Sequence, residues 1–117
     1  MDWSKILNER GDFDFEEGSG VRKLSYTDAI REALDLMLSR DERVFIMGQG
    51  VDDPVGMFGI TIDFDKKYGN ERIFDTPLSE NALTGIAIGA SLTGMRPVYM
   101  HNRPDFLLVA MDQIVNH

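Results

Sequence analysis

From residue 24 onward, apolar positions recur first at helical spacing and then in short unbroken runs. Ser25 offers a hydroxyl and Asp28 an acid three positions later, a capping-box-like start for a helix. Tyr26, Ile30, Ala33 and Met37 follow at helical spacing, with Arg31, Glu32 and Asp35 turned outward. Val44-Phe45-Ile46-Met47 is short, apolar and rich in β-branched and aromatic residues, so it reads as a buried strand. Gly48-Gln49-Gly50 closes it as a loop. Residues 59–68 carry two patterns at once. Ile60, Ile62 and Phe64 alternate as in a strand, while Ile60, Phe64 and Tyr68 fit a helix that Gly69 would stop. Then come a strand over 72–75, a helix over 80–94, a strand over 97–101 and a helix over 104–116, the last opened by Pro104. Strands alternating with helices predict an α/β fold: a parallel sheet with flanking helices and right-handed crossovers.

Residues 1–23 break this rhythm. Asp12 to Gly20 mixes acids, glycines and two aromatics without helical spacing, so the segment reads as an acidic arm. Two readings stay open for it. It is a solvated, disordered extension, or Trp3, Phe13 and Phe15 pack on a neighbouring subunit.

Composition narrows the function classes. With 117 residues, 43% of them hydrophobic, the chain can build one modest core. No apolar run approaches the roughly 20 residues that cross a bilayer. Twelve basic against 20 acidic side chains give a formal charge of −8, which disfavours a nucleic-acid partner. There is no cysteine, hence no disulfide and no thiolate metal site. No His/Asp/Glu cluster has metal-ligand spacing, and Gly48-x-Gly50 is too small a fragment of a dinucleotide fingerprint to use. Cytoplasmic residence is the expectation.

The stretch Asp75-Thr76-Pro77-Leu78-Ser79-Glu80 leads from a strand, through a proline turn, to an acid at the head of a small-residue helix. Such junctions line the carboxyl edge of a parallel sheet, where α/β proteins bind ligands. By itself Glu80 reads first as an ordinary first-turn acid, favoured by the helix dipole by roughly 0.3–1 kcal/mol. Gly85 and Gly89, four apart, call for a packing reason, because glycine inside a helix costs about 1 kcal/mol against alanine.

Glu80, Gly85, Ile86 and Gly89 spell E-x4-G-Φ-x-x-G, which resembles the signature of the pyrimidine-binding domain of thiamine-diphosphate enzymes. Val44 to Gly48, Lys67-Tyr68-Gly69, Arg72 to Pro77, Gly94 to Val98, and Asp105-Phe106 through Met111 to Ile114 lie in the matching order. That order is similar to the β subunit of the decarboxylating component of 2-oxo acid dehydrogenase complexes, of pyruvate, acetoin and branched-chain types. The resemblance covers residues 24–117, which implies a partial, transketolase-like pyrimidine-binding domain that begins after the arm. It also decides residues 59–68 for helix.

What the resemblance implies is specific. Glu80 matches the glutamate that hydrogen-bonds N1′ of the cofactor pyrimidine and favours its imino tautomer. Phe106, 26 positions further on, matches an aromatic set against that ring. Gln49 stands where many relatives carry a cofactor-contacting acid; an amide can still hydrogen-bond Glu80 but cannot repel it. Asn102 falls beside the cofactor at the end of the preceding strand. His101-Asn102-Arg103 departs from the family's apolar or acidic residues and implies a different substrate pocket, Arg103 being either a magnet for a substrate carboxylate or a surface charge. The family's diphosphate- and magnesium-holding G-D-G…N-N is missing, which suits a chain whose α-subunit partner holds the metal and shares the thiamine diphosphate. The helix over 80–94 is the expected contact for a homo- or hetero-oligomer. The expected role is the pyrimidine-side half of a thiamine diphosphate site, incomplete without an α subunit and a missing carboxy-terminal portion. The alternative is a non-catalytic or degenerate oligomerising module of the same fold.

Overall fold

A computed structural model describes residues 24–117; the acidic arm lies outside the described residues. The elements run α1 (Tyr26–Arg40), β1 (Val44–Gly48), a 3-10 turn (Met57–Gly59), α2 (Phe64–Tyr68), β2 (Ile73–Asp75), α3 (Glu80–Leu92), β3 (Arg96–Met100), a 3-10 segment (Pro104–Ala110) and α4 (Met111–Asn116). The sheet has the order β2-β1-β3, and both pairings are parallel. The expected architecture is present.

β1 is central and all five of its residues are buried, as a parallel strand covered on both faces must be. Its period of two divides the core. Val44 and Ile46 join Leu34 and Leu38 of α1, Phe64 of α2, Ile73, Val51 and Met57 on one face. Phe45 and Met47 join Leu83 of α3 on the other, with Phe74, Ala87 and Tyr99 against them. A fully buried side chain such as Ile46 contributes about 1.5–3 kcal/mol over leaving it in water.

α1 starts as its sequence dictates: the Asp28 amide donates to Ser25 Oγ at 3.1 Å, and Ser25 Oγ donates to Asp28 Oδ2 at 2.6 Å. Of the expected line Ile30 does pack on the core, but the buried stripe continues through Leu34 and Leu38 and not through Tyr26, Ala33 and Met37. Tyr26 is 84% exposed. The two stripes differ by one residue, about 100° around the helix, and the branched aliphatic side chains win the sheet. Nor does Arg31 point outward. Its Nη2 donates to Ile62 O at 2.9 Å and its Nη1 to Gly59 O at 3.5 Å.

Those two bonds show why residues 59–68 are helical only from Phe64. The carbonyls of Gly59 and Ile62 are taken by Arg31, Thr61 Oγ1 accepts from the Met57 amide, and Phe58 (φ 50°) and Asp63 (φ 61°) are left-handed. Gly69 does stop α2, at φ 81° with its amide donating to Asp65 O. Arg72 precedes β2 and acts as a strap. It donates to Val44 O, Leu38 O and Asp41 O at 2.8–2.9 Å, tying the end of α1 to the sheet.

The remaining differences lie downstream. α3 ends at Leu92, with Gly94 at φ 94°. β3 spans 96–100, so His101 lies just past it. The expected helix over 104–116 is 3-10 as far as Ala110 and α-helical only for its last six residues. Ala110 is its sole buried side chain among the described residues, so packing does little to enforce an α-helical turn there.

Candidate functional site

The sheet register builds the site. Gly48 pairs with Asp75 on one side and Met100 on the other, so all three strands end together. The loops leaving them, Gln49-Gly50, Thr76 to Ser79 and His101-Asn102-Arg103, therefore share one carboxyl edge. Gly48 permits this closeness: a Cβ there would sit 2.5 Å from Met100 O. Asp75 Oδ1 accepts from the Gly50 amide at 2.6 Å, which binds the first loop to the end of β2.

Gln49 and Asn102 come together here. With Gly50, Asp53, Phe58 and Arg103 they line a cavity of about 340 Å³, against about 390 Å³ for a hollow elsewhere. That other hollow, between Leu36, Met37, Val44 and Val98, opens at the amino ends of β1 and β3 and faces away from these loops.

Glu80 is the first residue of α3 and half-buried. It makes no hydrogen bond or ion pair with another described residue, so the expected bond from Gln49 is not formed. The other acids placed nearby are committed: Asp75 to Gly50, Asp53 to the Val55 amide at 2.9 Å, and Asp105 to Arg103. Glu80 does make itself felt at Tyr99. Burial first, and then the charge of Glu80, pushes the Tyr99 phenol above its ordinary pKa. The Tyr99 and His101 rings lie 4.3 Å apart.

Phe106 does not line the cavity. It is 41% exposed, and the Arg103 guanidinium lies 5.4 Å from its ring centroid. Arg103 also donates to Asp105 from Nε at 3.1 Å and Nη2 at 2.6 Å. Two buried hydroxyls have no partner among the described residues: Thr76 Oγ1 and Thr84 Oγ1, four positions either side of Glu80. Among the described residues no group of three or more His, Cys, Asp or Glu is arranged to hold a metal ion. No helix among them is long and apolar enough to cross a membrane.

Sequence reasoning missed Tyr99, Asp75 and the wall from Asp53 to Phe58. Tyr99 had one usable signal, since alternation along β3 sets it on the face that α3 covers. The glycines of α3 do different things. A Cβ on Gly85 would meet Gln113 Oε1 at 2.7 Å, so this glycine admits α4 and not the sheet; Gly89 faces open space.

Residues 22–117 match the family model described as transketolase, pyrimidine binding domain. The chain is 44% identical over 90 residues to the pyruvate dehydrogenase E1 component subunit beta of Chaetosphaeridium globosum, covering 77% of this chain and 28% of that one. It is 41% identical over 93 residues to the 2-oxoisovalerate dehydrogenase subunit beta of Bacillus subtilis, covering 80% and 28%. Against the mitochondrial pyruvate dehydrogenase E1 component subunit beta of Drosophila melanogaster it is 38% identical over 101 residues, covering 86% and 28%. The chain thus spans little more than a quarter of the length of these relatives.

Proposed function

We propose a function that proceeds from membership: the chain belongs to the family of transketolase pyrimidine-binding domains, and within it supplies the pyrimidine side of a thiamine diphosphate site. The observation that carries this is Glu80, a half-buried carboxylate at the carboxyl edge with no partner among the described residues, while its acidic neighbours are engaged. Buried carboxylates are ordinarily hydrogen-bonded, and one left open is ready to accept from a ligand.

The residues present fit the aminopyrimidine end of this cofactor. Glu80 can accept from or donate to a ring nitrogen, the orphaned hydroxyls of Thr76 and Thr84 sit in the same stretch of chain, and Phe106 offers a ring face. When bound, the cofactor supplies an electron sink for decarboxylation of a 2-oxo acid. The chain's own work is to hold and move a proton at the Glu80 carboxyl, where N1′ would sit. Tyr99, whose phenol feels the Glu80 charge, lies beside that carboxyl. Gln49 and Asn102 offer amides across the adjacent cavity.

The diphosphate and its magnesium belong, on this reading, to an α subunit. Association runs through the helix over 80–94, where Gly89 lies open and Ile86 and Leu92 are exposed. The same exposed side chains support the second reading, a non-catalytic oligomerising module. Cytoplasmic residence is part of the proposal and is not inherited from relatives, since one of those compared is named mitochondrial.

One experiment separates the readings. In an assembly of this chain with an α subunit, Glu80→Gln keeps the fold, because the amide is isosteric, and lowers decarboxylation by about 10²–10⁴-fold. Glu80→Asp falls between. Equal turnover in the wild type and Glu80→Gln leaves Glu80 a helix-terminal acid, whereas an assembly that turns over no 2-oxo acid in either version favours the module.

A further inference from the structure

We infer that the cavity between Gln49, Asn102 and Arg103 is a side-chain subsite that selects 2-oxo acids whose side chain ends in a carboxylate. The inference rests on the decarboxylase reading for its substrate class, but the subsite stands on its own geometry. Gln49 follows β1 and Asn102 follows β3, and the Gly48–Met100 pairing brings the two amides to one opening. Arg103 adds a guanidinium to the same lining. The volume, about 340 Å³, is ample for a short chain of atoms.

The wall opposite is built, not incidental. The Gly50 amide is held by Asp75, the Asp53 amide donates to Gly50 O, and the Gly56 amide to Asp53 O. Gly56 has φ 62°, and a Cβ there would meet the Ile62 amide nitrogen at 2.7 Å, so the turn closes only on glycine. Phe58 is left-handed at φ 50° and ψ 31°, yet its side chain is 75% exposed at the cavity. A strained residue held with its ring in water is the kind of outlier that marks a ligand clamp. Methylene groups can lie along Phe58 while the polar end meets the amides and Arg103.

Charge decides the class of that polar end. A guanidinium has five N–H donors, and Asp105 engages Nε and one Nη2 hydrogen. Asp105 and the Phe106 ring fix the guanidinium plane and leave its remaining donors uncommitted among the described residues. Asp53 is the opposing charge in the lining, and its Oδ1 is already turned to its own loop through the Val55 amide. Two amides, each with an NH₂ to offer, and a fixed guanidinium with uncommitted donors match a carboxylate better than a methyl group.

The test uses the complete assembly with an α subunit and two substrates: a 2-oxo diacid with two side-chain methylenes, and its methyl-ended isostere. The wild type should favour the diacid in kcat/KM by about tenfold or more, and Arg103→Gln should reduce that ratio by about tenfold, with Arg103→Lys restoring part of it. Glutarate, which has no 2-oxo group and cannot turn over, is titrated calorimetrically into the wild type, Arg103→Gln and Asn102→Leu. It should bind the wild type and lose affinity in both variants. Turnover without preference for the diacid, or glutarate affinity that both variants keep, overturns the subsite and leaves the decarboxylase reading intact. Glutarate binding that both variants lose, in an assembly that turns over no 2-oxo acid, sustains the subsite and removes the decarboxylase.

Discussion

The two faces of the sheet are finished to different degrees. On the α1–α2 face, Leu34, Leu38, Ile46, Val51, Phe64 and Ile73 form one buried cluster, and arginine straps close it. Arg72 takes three backbone carbonyls, Arg31 takes two, and Asp35 accepts from Lys67 and from the Tyr68 hydroxyl at 2.6 Å each. On the α3–α4 face the buried cluster is Phe45, Met47 and Leu83, while Ile86, Leu92, Leu108, Val109 and Val115 are exposed. Leu92 is 81% exposed. The first face ties down its polar groups, with Tyr26, Leu36 and Met37 still exposed on α1; the second lacks such straps and leaves more apolar area, of the kind that marks an association surface.

The comparison is broken most severely by removing a strap. Arg72→Ala leaves the carbonyls of Leu38, Val44 and Asp41 without their charged donor, so a loss of about 3 kcal/mol is expected. Arg103→Ala, on an arginine whose side chain is 68% exposed and paired to one carboxylate, should cost about 0.5 kcal/mol or less. Urea unfolding of both variants checks the contrast. Similar losses would mean that the first face is no better secured than the second.

The glycines of α3 sharpen it next. Gly85→Leu meets the flexible end of the Gln113 side chain of α4, which can swing aside, so the expected cost is about 1 kcal/mol or less in the chain itself. Gly89→Leu meets nothing within 4 Å, so the isolated chain should lose no stability. If α3 carries the proposed interface, Gly89→Leu instead weakens assembly, read by sedimentation. Unchanged assembly in that variant would put the partner elsewhere.

Acid should affect the strapped face through its carboxylates. The Lys67 ammonium, and then the Tyr68 hydroxyl, hold Asp35 below its ordinary 3.8, and Arg43 holds Asp41 down to about 2. Carboxylates depressed in the fold contribute fully above the unfolded pKa, and that contribution is lost as pH falls through the folded one. Tm should therefore hold steady from pH 7 to about 5 and fall between about 4 and 2. Asp35→Asn should flatten part of that fall. A profile that keeps its full slope in Asp35→Asn would assign the fall to other groups.

Much of this was legible in the chain. β1 announced itself because a strand buried on both faces has only apolar residues to show, and Ser25, Gly69 and the head of α3 carried their own local signals. Residues 57–63 were not legible, because Arg31, 28 or more positions earlier, decides where their carbonyls go. Local periodicity cannot encode a partner from another helix. The candidate site divides in the same way. Glu80 and the Gln49–Asn102 edge followed from strand ends, whereas Tyr99 beside Glu80, and Arg103 between the cavity and Phe106, are juxtapositions that only the packed sheet creates.

The smallest effect tests the comparison within one helix. The first turn of α1 is capped by Ser25 and Asp28, a local pair exposed to water, while its end is held by Arg72 from across the sheet. Ser25→Ala removes the acceptor for the Asp28 amide, an N-cap loss of about 1 kcal/mol or less at so exposed a site. Because both bonds of the cap lie within its own turn, the loss should stay local. Hydrogen exchange should quicken at the amides of the first turn, residues 26–29, and stay slow near Leu38, where the Arg72 strap is intact. Faster exchange along the whole of α1 would show that the helix unfolds as one unit from its cap, and that the strap secures the face less than its three bonds imply.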